Sequence, residues 1–338
     1  MSDLVNRQVR LASRPTGWVQ PENFEMADEA VAEPADGEIL VRNIFMSVDP
    51  YMRGRMNDAK SYVPPFQIGK VLQAGVVGQV IASRHDDFAE GDYVSGMLGW
   101  EKFSISNGEG LHKVINTDVP LSWYLGILGM PGMTAWVGLT EIAGLKEGES
   151  VFVSAASGAV GSVVGQIAKI YNCHVAGCAG SDEKLKILKS EFGYDEAFNY
   201  KTSKSIPASI AAACPEGIDV NFENVGGDIF EAAMWNMRPF GRIALCGMIA
   251  NYNDEEQQPG PRGMMAIIGK RLTIRGFIVS DHPKACGEFV NKAAGWIAEG
   301  KLKYRETIAE GIDNAPAAFI DMLNGRNIGK QIIRLDDD

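Results

Sequence analysis

Ala155, Gly158 and Gly161 stand at three-residue intervals between the β-branched run VFVSAA and the helical run GSVVGQIAK. Low bulk at that spacing lets a backbone come close to a pyrophosphate, and the N-terminus of the following helix turns N–H groups toward it. The pattern is the dinucleotide fingerprint with alanine at its first glycine. Gly165, one turn on, lets the helix lie close to a sheet. Alone the motif is weak; between a strand and a helix, at the head of a strand–helix series, it is specific. The competing reading is a tight strand-to-helix turn that binds nothing. A methyltransferase would want a carboxylate after the second strand.

About twenty residues after such a turn, an NAD site offers an acid to the ribose. Here the chain reads VAGCAGSDEK, residues 175–184. Ser181 is expected to cap a helix, with Asp182 and Glu183 in the first turn, where acids favour the helix dipole. Lys184 falls at the third helical position, where a cation opposes the dipole and a capping box would place Glu or Gln. A lysine there, beside an uncharged gap, points to the 2′-phosphate of NADP. A solvated surface lysine is the alternative. Tyr200, which ends the next strand in FNYK, is placed over the same phosphate.

Metal-assisted hydride chemistry needs Cys, His and often Glu around an open tetrahedral site. The four histidines (His85, His112, His174, His282) are scattered, and the Cys173-His174 pair opens a strand that sends the two side chains to opposite faces. No metal is expected, and no GxSxG marks a serine nucleophile. Five cysteines without a CxxC read as thiols of a reducing cytosol.

The elements that must position these residues follow from composition and rhythm. The chain has 338 residues, 46% hydrophobic and 22% charged, as expected for one or two soluble domains. A net charge of −11 with no basic stripe argues against nucleic acid and anionic membranes. No apolar run approaches a membrane span, and MSDLVNRQVR has no signal-peptide core, so a cytoplasmic protein is expected. To about residue 125, runs such as GEILVRNIFMSVD, GKVLQAGVVGQVIASR and EGDYVSGML predict a β-rich, partly barrel-like domain. A helix is expected over 129–148. Six strands then alternate with helices, which predicts a doubly wound parallel α/β sheet covered on both faces. The last segment has strand, helix and strand character and is expected to return to the first domain. The expected division is 1–125, 126–300 and 301–338.

The motifs VDPYMRGRM (48–56), LGMPGMTAWVGL (128–139), AASGAVGSVVGQIAK (155–169), AGSDEK (179–184), FENVGG (222–227), CGMIANYN (246–253), GFIVSD (276–281) and NIGKQIIR (327–334) span nearly the whole chain. In this order they resemble the zinc-independent branch of the medium-chain dehydrogenase/reductase superfamily, and within it the leukotriene/prostaglandin and alkenal double-bond reductases. FENVGG departs slightly from the FDNVGG of some relatives. The resemblance implies a GroES-like catalytic domain built from both chain ends, a Rossmann domain, a cleft holding NADPH, and a homodimer joined through the Rossmann domains. By motif match, Gly158, Ala159, Val160 and Gly161 would meet the pyrophosphate, and Lys184 and Tyr200 the 2′-phosphate. Asn224 would face the cofactor at a strand end. Cys246 and Gly247 through Tyr252, then Phe277, Ile278, Val279 and Ser280, and Asn327, would line the nicotinamide half.

The resemblance also implies hydride delivery to the β-carbon of an α,β-unsaturated ketone or aldehyde, with charge building on the carbonyl oxygen. A phenol could donate there, since its reference pKa of about 10 keeps it protonated. Tyr252, in a loop after a strand's carboxyl end, is read as that donor or as a cofactor contact. Tyr51, in DPYMRGR, is either a proton donor or an aromatic wall. Arg53 and Arg55 are read as fixing a loop through a carboxylate. Trp100, Met130 and Met133 are core residues or apolar substrate walls. Two other functions stay open: a zinc-independent quinone oxidoreductase, and a non-catalytic NADPH-binding protein. DPYMRGR and ANYND favour the enone reductase, because a pure binder has no use for such donors.

Overall fold

The computed structural model describes residues 4–115, 118–256 and 258–335. The chain divides into two compact units. One takes the residues up to Leu125, Glu306–Asn327 and the end from Gln331. The other takes Gly126–Arg305 and Ile328–Lys330.

In the first unit, β1 (Val5–Leu11) and β2 (Phe24–Ala30) form an antiparallel ribbon. The sequence reading missed this ribbon, because FEMADEA is mostly exposed and carries no alternation. The long strands are β3 (Ile39–Ser47), β4 (Gln73–Ser83) and β5 (Tyr93–Gly99), joined by the short β6 (Phe103–Ser106) and β7 (His112–Lys113). On β4 Val76, Val77 and Val80 are buried, and Val77 packs in a core with Val114, Leu125 and Ile332. Trp100 is 1% exposed, stacks 6.2 Å from Phe24 and meets Phe319 edge-on at 5.9 Å, so it is a core residue. One helical turn, α1 (Tyr51–Arg55), follows β3.

The second unit begins with α2 (Met130–Val137), which runs into a π-helical turn over Gly138–Ile142, and the helix expected to reach 148 ends there. Gly138 lies against the rings of Phe222 and Phe277, an approach that a side chain would block. Strands β8 (Ser150–Val153), β9 (His174–Ala179), β10 (Glu196–Asn199), β11 (Ile218–Glu223), β12 (Met237–Leu245) and β13 (Thr273–Gly276) make one sheet in the order β10-β9-β8-β11-β12-β13. All its pairs are parallel. Helices α3 (Gly161–Ile170), α4 (Asp182–Ser190), α5 (Ile206–Ala213) and α6 (Gly227–Asn236) connect successive strands. A further helix, α7 (Met264–Lys270), precedes β13 and was not foreseen; α8 (Pro283–Ala298) was. The winding reverses between β8 and β11. In such sheets ligands bind outside the carboxyl ends of the strands at that reversal.

The chain then supplies β14 (Glu306–Glu310), α9 (Ala315–Leu323) and β15 (Lys330–Arg334). β15 pairs antiparallel with β3, so the end returns to the first sheet. Among the described residues no helix is long and apolar enough to cross a membrane.

Small residues let α3 settle on the sheet. Tyr194 is 3% exposed, its ring covers Gly165 and Gly177, and its hydroxyl donates to the Gly161 carbonyl at 2.6 Å. A Cβ at Gly165 would run into that ring. Gly165→Ala is therefore expected to destabilise the protein by about 1–3 kcal/mol in urea unfolding, as overpacking does. Helix propensity alone predicts a gain of about 0.5–1 kcal/mol. A raised midpoint would show that Tyr194 does not hold α3 in place.

Candidate active site

The turn between β8 and α3 is built for close approach. Ala155, at the position of the fingerprint's first glycine, adopts φ +48°, a left-handed conformation that glycine takes more easily. Gly158 N–H donates to the Ala155 carbonyl at 3.0 Å. A Cβ on Gly161 would stand 2.5 Å from that same oxygen. Gly158, Ala159 and Val160 are half-buried, and α3 starts at Gly161 with no side chain capping it. Gly329, from NIGKQIIR, donates its N–H to the Ser157 carbonyl at 2.9 Å and forms a bridge with Gly158. The sequence reading left that glycine out. Its signal is a φ of +67° in a place where a Cβ would strike the Arg305 carbonyl.

The second element sits past β9. Ser181 caps α4, accepting from Lys184 N–H at 3.4 Å, with Asp182 and Glu183 in the first turn as expected. Lys184 is 9% exposed. Burial lowers its ammonium pKa, the charge of Lys201 lowers it further, and Glu183 opposes both. A Cβ on Gly180 would lie 3.1 Å from the Tyr200 hydroxyl and 3.1 Å from Lys201 Cε. Lys201 and the Tyr200 phenol thus flank Gly180 at the ends of β9 and β10, with Lys184 close enough to Lys201 to feel its charge. An anion placed among two cations and a hydroxyl would relieve the repulsion between the lysines. The residues fit a 2′-phosphate. Lys201 was missed although it follows Tyr200 directly, because sequence alone does not tell which side of a strand end a residue faces.

At the carboxyl ends of β8, β11 and β12 the chain is tied tightly. Asn224 turns its Nδ2 to the Ser154 carbonyl at 2.8 Å, and its N–H to Ser154 Oγ at 2.7 Å. Cys246 and Gly247 donate their N–H groups to the Glu223 carbonyl at 2.9 and 3.1 Å. Burial, then the charge of Glu223, pushes the Cys246 thiol up to about 12. Tyr252 is half-buried and follows a short 3-10 turn, Ile249–Asn251. A Cβ on Gly247 would lie 3.2 Å from the Tyr252 hydroxyl, so the phenol lies over that glycine at the end of β12. After β13, Phe277 meets Phe222 edge-on at 6.4 Å, Ile278 and Val279 are half-buried, and Ser280 is exposed.

Two site candidates lie in the first unit. Tyr51 begins α1; burial, then the charge of Asp49, raises its phenol pKa, and Arg55 pulls it down. Tyr62 is close enough to act on both Tyr51 and Arg55, and it is 58% exposed. Asn327 is half-buried after α9. Arg53 and Arg55 both tie loops, in part through neutral oxygens. Arg53 donates to Asn57 Oδ1 at 2.6 Å and to the Gly17 carbonyl at 2.8 Å. Arg55 donates to the Pro64 carbonyl and to Gln73 Oε1, both at 2.9 Å, and stacks over Phe66.

Among the described residues no three His, Cys, Asp or Glu side chains converge as metal ligands. Cys173, Cys178 and Cys214 are buried free thiols, and burial pushes Cys178 up to about 12. The donor set does not fit a zinc site.

Two family models match the chain: one described as the N-terminal domain of oxidoreductase, over residues 7–114, and one described as zinc-binding dehydrogenase, over residues 159–295. The NADPH-dependent curcumin reductase of Escherichia coli is 43% identical over 338 residues, covering 98% of both proteins. The NADP+-dependent 2-alkenal reductase of Nicotiana tabacum is 44% identical over 336 residues, again covering 98% of both. The crystal structure of CurA from Vibrio vulnificus in complex with NADPH superposes with a TM-score of 0.93 at 42% identity, over 98% of this chain and 100% of that one. The chain belongs to the zinc-independent branch of the medium-chain dehydrogenase/reductase superfamily, the branch of the curcumin, alkenal and prostaglandin reductases.

Proposed function

We propose that this protein is an NADPH-dependent reductase of the C=C bond of α,β-unsaturated ketones and aldehydes. One observation carries the reading: a parallel sheet whose carboxyl edge holds Lys184, Lys201 and Tyr200 at one place and the Tyr252 phenol over Gly247 at another. The first group suits a 2′-phosphate and the second a reacting carbonyl.

NADPH, when bound, supplies the hydride. In this reading Gly158, Ala159, Val160 and Gly161 bring their backbone to the pyrophosphate, and Lys184 and Tyr200, with Lys201, hold the 2′-phosphate. Cys246 acts as a packed, protonated thiol. Asn224, with its amide on the Ser154 carbonyl, shapes the edge on which the nicotinamide half rests. Phe277, Ile278, Val279, Ser280 and Asn327 complete the lining of that half. Tyr252 donates to the substrate oxygen, a hydrogen bond that strengthens as the enolate forms. Tyr51 of the first unit keeps its proton because burial raises its pKa, which suits it either as a proton donor or as an aromatic wall. An enone or enal is the substrate: conjugate addition spreads charge onto one oxygen, which a neutral phenol can stabilise without a metal.

The protein is further proposed to be a homodimer. β13 is an edge strand of its sheet. Beside it Met265 is 69% and Ile268 71% exposed on α7, and Phe240, 66% exposed, lies under Arg271. An open strand edge next to an apolar patch invites a second copy. A cytoplasmic location suits the five free thiols.

Four substrates separate the readings: curcumin, a 2-alkenal, an alkyl enone and a quinone, each followed by NADPH oxidation. Turnover of the first three is expected; turnover of the quinone alone would favour the quinone oxidoreductase, and no turnover a binding protein. Lys184→Ala should raise the NADPH Kd about ten- to a hundredfold and leave NADH nearly unchanged, since it deletes a charge-assisted bond to the 2′-phosphate. Equal weakening of both cofactors would remove Lys184 from that role. Tyr252→Phe should lower kcat about ten- to a hundredfold with little change in NADPH Kd. If Tyr51→Phe abolishes turnover and Tyr252→Phe does not, the donor belongs to the other unit. Ile268→Glu should convert a dimer to a folded monomer in sedimentation; an unchanged assembly would place the interface elsewhere.

A further inference from the structure

Glu223 is a fully buried acid, 0% exposed, that the proposed reaction does not use. It ends β11, at the reversal of strand order. One of its oxygens, Oε1, accepts three hydrogen bonds: from Val225 N–H at 2.7 Å, from Ser154 Oγ–H at 2.8 Å and from Gly226 N–H at 2.9 Å. Oε2 accepts from Asn221 Nδ2 at 3.1 Å. The Ser154 hydroxyl also accepts from Asn224 N–H. The N–H groups of three successive residues, 224 to 226, are therefore held by one carboxylate and the serine bonded to it. The Glu223 carbonyl takes Cys246 and Gly247 N–H, and the Asn224 carbonyl takes Ile249 N–H at 3.2 Å. Ser154 precedes the left-handed Ala155, where the pyrophosphate turn begins.

We propose that Glu223 is a positioning residue: its carboxylate, relayed through Ser154, fixes the carboxyl ends of β8, β11 and β12 against one another. In doing so it sets the ledge for the nicotinamide half of the cofactor and the start of the loop that carries Tyr252. The proposal rests on the NADPH reading above. Four donors converge on the two oxygens of this one side chain. Burial pushes its pKa up; the Gly226 and Val225 N–H groups, then Ser154 and Asn221, pull it back.

The adenosine end, at Lys184 and Tyr200, does not touch this network, which provides the test. Isothermal titration of the purified protein with NADP+ and with adenosine 2′,5′-bisphosphate compares the whole cofactor with its adenosine half. Glu223→Gln keeps the shape and removes the charge. It should weaken NADP+ about five- to thirtyfold, the difference between charged and neutral hydrogen bonds, and leave the bisphosphate within about twofold. Ser154→Ala, which keeps the carboxylate, should weaken NADP+ in the same selective way by about three- to tenfold, and carries the test if Glu223→Gln does not fold. Glu223→Asp should recover NADP+ binding to within about threefold of the parent, because an aspartate reaches the N–H groups two and three residues on. Equal weakening of both ligands, or no weakening of either, overturns the positioning role. A parent protein that binds neither ligand overturns the cofactor reading, and the proposal falls with it.

Discussion

Gly161 has no room for a side chain: the Ala155 carbonyl oxygen and the Ala156 backbone occupy the space. This contact between two stretches of backbone is the constraint on which the second unit depends. It forces Ala155 to φ +48°, it lets Gly329 pair with Gly158, and it brings α3 down until Tyr194 can reach the Gly161 carbonyl. Together they gather backbone with little side-chain bulk around the start of α3. A pyrophosphate is the group that gains most from them, because a helix N-terminus favours negative charge.

The electrostatics of the sheet edge follow the same economy. The chain carries a net charge of −11, so a phosphate has to be held locally. Lys184 and Lys201, at the ends of β9 and β10, are the cations we propose for that task, and Lys184 lies nearly out of solvent. Further along the edge the groups are neutral. Burial keeps the Cys178 and Cys246 thiols protonated, and the buried acid Glu223 is covered by its donors. In the proposed reading, a cationic adenosine end and a nicotinamide end of thiols and a phenol suit a reaction in which negative charge builds on the substrate oxygen as hydride arrives.

Much of this was legible in the sequence, and for a physical reason. The strands of the parallel sheet are short apolar runs bounded by glycine and by helix caps; Ser181, Asp182 and Glu183 read as a helix start because each occupies the position that its chemistry prefers, and Lys184 stands out because it does not. The ribbon of β1 and β2 was not legible, since β2 lies mostly in solvent and shows no alternation. Helix α7 was hidden for the opposite reason: its apolar residues Met264, Met265 and Ile268 are exposed, so they trace no inward face. Lys201 against Gly180, Gly329 against Gly158 and the Ser154 arm of the Glu223 network join residues 21, 171 and 69 positions apart, which no local pattern encodes.

The central claim is that hydride goes to a carbon of the double bond and the carbonyl is preserved. NADPH carrying deuterium at C4, on the face that transfers, reports the destination directly. After turnover of an alkyl enone, proton and deuterium NMR of the product should place the label on the β-carbon of a saturated ketone. Label on the carbinol carbon of an allylic alcohol, with the double bond intact, would contradict the account.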